Sequence, residues 1–266
     1  MIRRREDKKR GDLEEAGHGE PQRDEHSRLP SPVSRLLVCP LGTLGYQESL
    51  ELQREAARAR IAGTLPHDLL LLVEHPPVIT MGRSSKKNHL VAPPALLAAR
   101  GVEQLEVDRG GDVTFHGPGQ LVGYPIFDLK RHRQDLHWYL RQVEESLIRA
   151  VAPFGVVGGR NPGYTGVWVN DRKLASIGVH ARDWVTWHGF ALNVRTDLSW
   201  FDLIVPCGIA GVTMTSLERE VPGVSVHDDD VQDAVVEGFA STFSLVAEPL
   251  THEALVASLS LGASSV

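Results

Sequence analysis

Residues 109–125, RGGDVTFHGPGQLVGYP, hold five glycines and two prolines in seventeen positions, yet apolar side chains run through them at Val113, Phe115, Leu121, Val122 and Tyr124 and on to Ile126. A flexible linker would lack the apolar residues, and a helix or long strand would not tolerate the glycine and proline. The pattern predicts two short strands joined by a shaped turn. Gly110 and Gly111, and then Gly117, Pro118 and Gly119, are two places where main chain without a Cβ can line a pocket. Arg109, Asp112, His116 and Gln120 supply polar groups around it. A tight bulged hairpin, whose glycines serve geometry alone, is the competing reading. The spacing fits neither the dinucleotide-binding nor the Walker phosphate-binding pattern.

The rest of the chain bounds what such a pocket can serve. Its 266 residues suffice for a substantial core, and 42% apolar with 23% charged residues is ordinary for a globular protein. A net charge of −6 gives no electrostatic reason to expect nucleic acid or an anionic membrane as partner. The two cysteines, Cys39 and Cys207, are too far apart in sequence for a disulfide framework or metal-ligand spacing, which points to a reducing, cytoplasmic setting. No run of eighteen apolar residues exists to span a membrane. Residues 1–30 are dense in charges of both signs and poor in large apolar side chains, so they are expected to form a disordered tail, with residues 31–266 as one domain.

Taken in order, VSRLLVCPLG (33–42) reads as a first strand with Cys39 as a buried thiol, and residues 46–61 as an amphipathic helix. DLLLLVEHPPVITMG (68–82) reads as two strands around a His75–Pro76–Pro77 turn, followed by a short helix over 93–100 and a strand over 102–107. Leu136, Leu140, Val143, Leu147 and Val151 mark a long helix. The segment GVWVNDRKLASIGVHARDWVTWHGFALNV alternates as a three-stranded meander with bends at Asn170, Asp171, Arg182 and Asp183. A final helix is expected after the aspartates at 228–230. Strands and helices in this order predict a single α+β domain.

Two segments carry candidate chemistry. In IVPCGIAG an apolar strand is expected to end at Pro206, displaying Cys207 beside Gly208, whose amide is placed to face an oxyanion. A thiol with an ordinary pKa near 8.5 is mostly protonated at neutral pH and needs help to act as a nucleophile. His116 and Lys173 are both candidates for that help. The first makes a cysteine–histidine pair; the second lies on a strand face shared with Ala175, Ile177 and Val179, where its ammonium faces an apolar surface.

Three segments, RGGDVTFHGPGQLVGYPIFDL, the meander quoted above, and DLSWFDLIVPCGIAGVTMTSL, together resemble the lipoyl/octanoyl transferases, octanoyl-[acyl carrier protein]:protein N-octanoyltransferases, over about residues 35–250. The resemblance implies an acyltransferase in which Cys207 takes the octanoyl (or lipoyl) group as a thioester and Lys173 assists its ionisation. It places substrate contacts on Arg109, Gly110, Gly111, Asp112, Val113, Thr114, Phe115 and His116, on Ser176, Ile177 and Gly178, and on Gly189, Phe190 and Ala191. It also implies a mixed β-sheet with flanking helices, the catalytic fold of the biotin and lipoate protein ligases, with no metal or organic cofactor. The implied donor is octanoyl-acyl carrier protein; the implied acceptors are lipoyl domains of 2-oxoacid dehydrogenase complexes and the glycine cleavage H protein. Arg83, Lys86 and Lys87 are candidates to meet an acidic carrier protein.

Three other readings remain. An ATP-dependent lipoate or biotin protein ligase has no use for a nucleophilic thiol. A non-catalytic module binding carrier protein or lipoyl domains would not depend on Cys207. A cysteine hydrolase would release free acid without an amine acceptor.

Overall fold

The computed structural model describes residues 34–263; the charged tail expected over residues 1–30 lies outside them. The first half runs β1 (Arg35–Thr43), α1 (Tyr46–Ala62), β2 (Asp68–Glu74), β3 (Val78–Met81), α2 (Pro94–Ala99), β4 (Glu103–Glu106), β5 (Val113–His116) and β6 (Gln120–Ile126). The second half runs α3 (Leu136–Val151), β7 (Gly159–Asn161), β8 (Tyr164–Val169), β9 (Arg172–Arg182), β10 (Val185–Asn193), β11 (Thr213–Met214), α4 (Leu217–Glu220), α5 (Asp228–Phe243), β12 (Val246–Pro249) and α6 (His252–Ala263). The large sheet has the order β12-β1-β2-β6-β10-β9-β8-β7, with β11 beside β9, and a small sheet has the order β4-β3-β5. The large sheet is mixed: β12, β1 and β2 are parallel, and the remaining neighbours along its path are antiparallel.

Strand alternation divides the core into two layers. On β2, Leu70 and Leu72 face the layer of α3 and α5, among Tyr139, Val143, Leu147, Val235 and Phe239, while Leu69, Leu71 and Val73 face α1 and α6, among Leu50, Ala57 and Leu255. Each such side chain fully removed from water contributes about 1.5–3 kcal/mol. A third cluster, with Ile79, Leu97, Val113, Phe115 and Phe201, fills the space under the small sheet. Asp135 caps α3 by accepting from the Trp138 amide at 3.0 Å. Close contact between α3 and α5 depends on Gly238, where an added Cβ would lie 2.3 Å from the Ser146 carbonyl oxygen.

The expected helices over 46–61 and 93–100 and the meander are present, the last as β8, β9 and β10. Asp183 and Trp184 turn between β9 and β10 with φ of 50° and 63°. Several expectations are overturned. The strands β5 and β6 do not form a hairpin with each other: β5 pairs with β3 in the small sheet, and β6 lies between β2 and β10 in the large one. Residues 117–119 are therefore a crossing between sheets, fixed where the Gly119 amide donates to Glu74 Oε2 at 2.8 Å. The helix after the aspartates is not the last element, since β12 joins the sheet edge beside β1 and α6 follows. Nor does Pro206 end a strand: residues 198–203 and 206–208 are 3-10 turns, and Ile204 makes only an isolated bridge to Leu90.

Candidate active site

Cys207 is displayed by strain. Its φ of 56° and ψ of 16° place a non-glycine residue in the left-handed region, between Pro206 and Gly208, whose φ is 69°. Such a conformation costs about 1–3 kcal/mol and persists where the surroundings impose it. They do so here through hydrogen bonds from the Val205 amide to the His89 carbonyl (2.7 Å) and from Val91 and Ala92 to Leu203 (3.0 Å each). Gly208 is doubly required, because a Cβ there would also meet Asp112 Oδ2 at 2.5 Å. Its amide, expected to face an oxyanion, instead donates to the Val205 carbonyl at 3.0 Å.

The group that meets the thiol is Lys173. Its Nζ donates to Cys207 Sγ at 3.1 Å, and Ser176 Oγ lies 3.7 Å from the same sulfur. A lysine next to a hairpin turn is ordinarily solvated; this one is 2% exposed. Its ammonium lies 5.4 Å from the Trp168 ring centroid. Gly166 makes room for it, since at its φ of 138° a Cβ would come within 2.8 Å of Lys173 Cε. The Gly166 amide is held at 3.0 Å by Glu144 Oε1 from α3. Glu144, fully buried, also accepts from Arg141 (2.6 Å) and Arg160 (3.0 Å). One carboxylate thus fixes the irregular start of β8 against which Lys173 packs.

From Cys207, Lys173 and Ser176 a cavity of about 410 Å³ follows β9 and β10 past the facing glycines Gly178 and Gly189 to Tyr46, Tyr124 and His188. Side chains there are excluded on one wall by close approach of main chain: a Cβ on Gly189 would lie 2.1 Å from the Gly123 carbonyl oxygen, and one on Gly178 2.8 Å from that of Gly110. Of the expected contact residues, Arg109, Gly110, Gly111, Asp112, Thr114, His116, Ser176, Ile177, Gly178, Gly189, Phe190 and Ala191 line this cavity. Val113 and Phe115 are the exceptions; alternation along β5 turns them into the third core, where Phe115 stacks on Trp200.

Two buried histidines, His116 and His188, wall the far part of the cavity, and His75 packs behind them against Tyr46, His116 and Tyr124. His75 donates from Nδ1 to the Leu44 carbonyl (2.7 Å) and accepts at Nε2 from the Tyr124 hydroxyl (2.7 Å); burial lowers its pKa to about 4. His116 donates from Nδ1 to Gln120 Oε1 at 2.9 Å, and burial holds it neutral, with a pKa well below the usual imidazole range. No hydrogen bond joins it to Cys207, so of the two candidates for assisting the thiol Lys173 is the one in place. His188 adopts a φ of 55° within β10, its amide held by Gln53 Oε1 (3.0 Å) and its Nε2 donating to Asp108 Oδ1 (2.7 Å). That hydrogen bond lowers the Asp108 pKa, and burial lowers that of His188. Arg109, buried, is tied to Thr80 by Nη2, at 2.7 Å from its carbonyl oxygen and 2.9 Å from its hydroxyl.

Sequence reasoning did not single out Tyr46, Glu144 or His188 as site residues, nor His89, which donates from Nδ1 to Asp112 Oδ2 at 2.7 Å. Each sits in a segment with an ordinary structural reading. Only the tertiary fold brings Tyr46 and His188 to the cavity, Glu144 to Gly166, and His89 to Asp112 and Gly208. Among the described residues no three His, Cys, Asp or Glu side chains gather to hold a metal ion, and no helix is long and apolar enough to cross a membrane.

Comparison with known proteins places these features in a family. The lipoyl protein ligase A/B catalytic domain matches residues 45–240. An octanoyltransferase of Gloeobacter violaceus is 47% identical over 225 residues, covering 85% of this chain and 98% of that protein. One of Rubrobacter xylanophilus is 53% identical over 200 residues, covering 74% and 89%. Among solved structures, a bi-partite lipoate protein ligase from Thermoplasma acidophilum superposes with a TM-score of 0.66 at 17% identity, covering 86% of this chain and 91% of that one. A lipoate-protein ligase A bound with ATP gives 0.64 at 15% identity, covering 86% and 93%. At these identities the structures speak for the fold, a mixed α+β sheet with flanking helices, while the sequence relatives speak for the lineage. The chain belongs to the lipoyl protein ligase A/B catalytic-domain family and, within it, to the octanoyltransferases.

Proposed function

We propose that this protein transfers an octanoyl group from octanoyl-acyl carrier protein to a lysine side chain of a lipoyl domain, through a thioester on Cys207. The observation that carries the reading is the 3.1 Å contact from Lys173 Nζ to Cys207 Sγ at a glycine-walled cavity. An ammonium at that distance stabilises a thiolate electrostatically, and the thiolate is the nucleophile. Attack on the incoming thioester trades one carbon–sulfur bond for another, so no nucleotide is needed to drive it. Lys173 then gives its proton to the departing carrier thiol. Aminolysis by the acceptor's ε-amine forms an amide and releases Cys207.

Arg109, Gly110, Gly111, Asp112, Thr114, His116, Ile177, Gly178, Gly189, Phe190 and Ala191 are assigned to the acyl site, with Val113 and Phe115 supporting it from behind. Burying the chain contributes about 0.8 kcal/mol per methylene, so chain-length discrimination is several-fold per carbon. Acceptors are the lipoyl domains of 2-oxoacid dehydrogenases and the glycine cleavage H protein, and the reaction is placed in the cytoplasm, in keeping with two unpaired thiols. The exposed Arg83 and Lys86 are candidate contacts for an acidic carrier protein.

Incubation with octanoyl-acyl carrier protein is expected to raise the intact mass by one octanoyl group. The adduct should be lost on hydroxylamine treatment and absent in Cys207→Ala. A wild-type protein that stays unmodified while still modifying a lipoyl domain with ATP and free acid would instead establish the ligase reading.

A further inference from the structure

The second half-reaction releases more protons than the Cys207–Lys173 pair can absorb. A free lysine ε-amine is an ammonium at neutral pH, since its ordinary pKa is near 10.4. Joining it to the acyl-enzyme breaks the Cys207 carbon–sulfur bond and makes an amide and a thiolate, and two protons leave the nitrogen. One of them restores the Lys173 ammonium, which gave up its proton in the first half-reaction. The other requires a second acceptor at the thioester.

We infer that His89, oriented by Asp112, is that acceptor. The imidazole donates from Nδ1 to Asp112 Oδ2 at 2.7 Å, with the two side chains only 14% and 10% exposed. This bond fixes the tautomer, leaving Nε2 as the unprotonated nitrogen; it has no hydrogen-bond partner among the described residues. Asp112 is fixed in turn, its Oδ1 accepting from the Val113 amide at 2.7 Å. The pair lies against the residue after the nucleophile. A Cβ on Gly208 would sit 2.5 Å from Asp112 Oδ2 and 3.1 Å from His89 Cε1, the ring carbon bonded to Nε2. The backbone keeps this register, because the Val205 amide, two residues before Cys207, donates to the carbonyl of His89 itself at 2.7 Å.

His89 reaches the site through Asp112 and Gly208, which line the cavity; the histidines that line it themselves, His116 and His188, and His75 behind them, do not fit the task. His75 has both ring nitrogens engaged, His116 is wholly buried with its pKa driven well below the imidazole range, and His188 donates to Asp108 from one nitrogen and contacts the Tyr46 hydroxyl with the other. In the step assigned to His89, Nε2 takes one proton as the ammonium becomes the attacking amine. Lys173 takes the second as the tetrahedral adduct collapses, and the electron pair of the carbon–sulfur bond goes to Cys207. The products are amide, thiolate, Lys173 ammonium and His89 imidazolium, equal in charge to the reactants.

This assignment rests on the transferase reading, and the half-reactions separate the two. The octanoyl-enzyme is formed from octanoyl-acyl carrier protein, then mixed with a lipoyl domain in a single turnover, and adduct and product are followed by mass. His89→Gln is expected to acylate at the wild-type rate, which also shows that it is folded, and to lose about 100-fold or more in transfer to the lysine. Asp112→Asn should slow the same step by less, with Asp112→Glu recovering part of it. His89→Ala should regain transfer with added imidazole. Equal slowing of both half-reactions in His89→Gln would mark the histidine as a prop for Gly208 and overturn the assignment, as would an unchanged transfer rate. Absence of any adduct on the wild type would instead overturn the transferase reading.

Discussion

Glu144 offers a test of how the lysine is held in place from a distance. The carboxylate touches neither Cys207 nor Lys173; it holds the Gly166 amide at 3.0 Å and receives Arg141 and Arg160. Glu144→Gln keeps an oxygen for the Gly166 amide and loses the charge. Both arginines are more than a third exposed, so those pairs are worth about 0–1 kcal/mol each. Glu144→Leu also strands a buried N–H, which costs about 1–3 kcal/mol more. The expected losses are therefore about 1 kcal/mol for Gln and about 3 kcal/mol for Leu, a drop in melting temperature of about 2–4 °C against about 6–12 °C for a chain of this size. Because the strand start that faces Lys173 loosens only in the second case, iodoacetamide should alkylate Cys207 several-fold more slowly in Glu144→Leu than in Glu144→Gln. Thermal melts and alkylation followed by intact mass read both quantities. Equal stability of the two variants, or unchanged alkylation in Glu144→Leu, would refute the claim that this hydrogen bond positions the lysine.

Other outcomes follow from the same structure. Lys173→Met should fold, since its site is already buried beside Trp168, and should acylate Cys207 far more slowly than wild type in the single-turnover mass assay. His75, with its pKa lowered by burial from 6.5 to about 4, stays neutral in the folded state while the unfolded chain takes up a proton below pH 6.5. Its contribution is therefore intact above about pH 6.5 and is lost as pH falls to about 4, a decline of about 3 kcal/mol that denaturant melts should show reduced in His75→Gln. Gly238→Ala drives a methyl to within 2.3 Å of the Ser146 carbonyl oxygen and should cost about 1–3 kcal/mol by prising α3 from α5, measurable in a urea titration.

What the sequence could disclose depended on the range of the interactions involved. The meander was legible because alternation and the turn residues Asn170 and Asp183, both at positive φ, act locally. Cys39 was readable as a buried thiol for the same reason, and it is fully buried in β1. The burial of Lys173 could be suspected from its apolar strand face, but its contact with Cys207 depends on Gly166, Trp168 and the Glu144 carboxylate on α3. The sheet crossing at 117–119 was invisible because β5 and β6 have the same local pattern as the arms of a hairpin; their partners β3, β2 and β10 decide otherwise. The strand β12 reads as VAEP, nearly unpatterned, and exists because Arg35 and its neighbours pair with it from the other end of the chain.

The division of labour between the two sheets has a cost for the enzyme's robustness. Asp112, Thr114 and His116 come from the small sheet and its approach, whereas Lys173, Ser176 and Gly178 come from the large one, so the cavity is a seam and belongs to neither. Its small-sheet side is backed by Phe115, Phe201 and their companions, while most of the burial that holds the molecule together lies elsewhere. Damage to that minor core opens the seam long before the protein melts. Loss of catalysis with an almost unaltered denaturation curve is the signature such lesions leave.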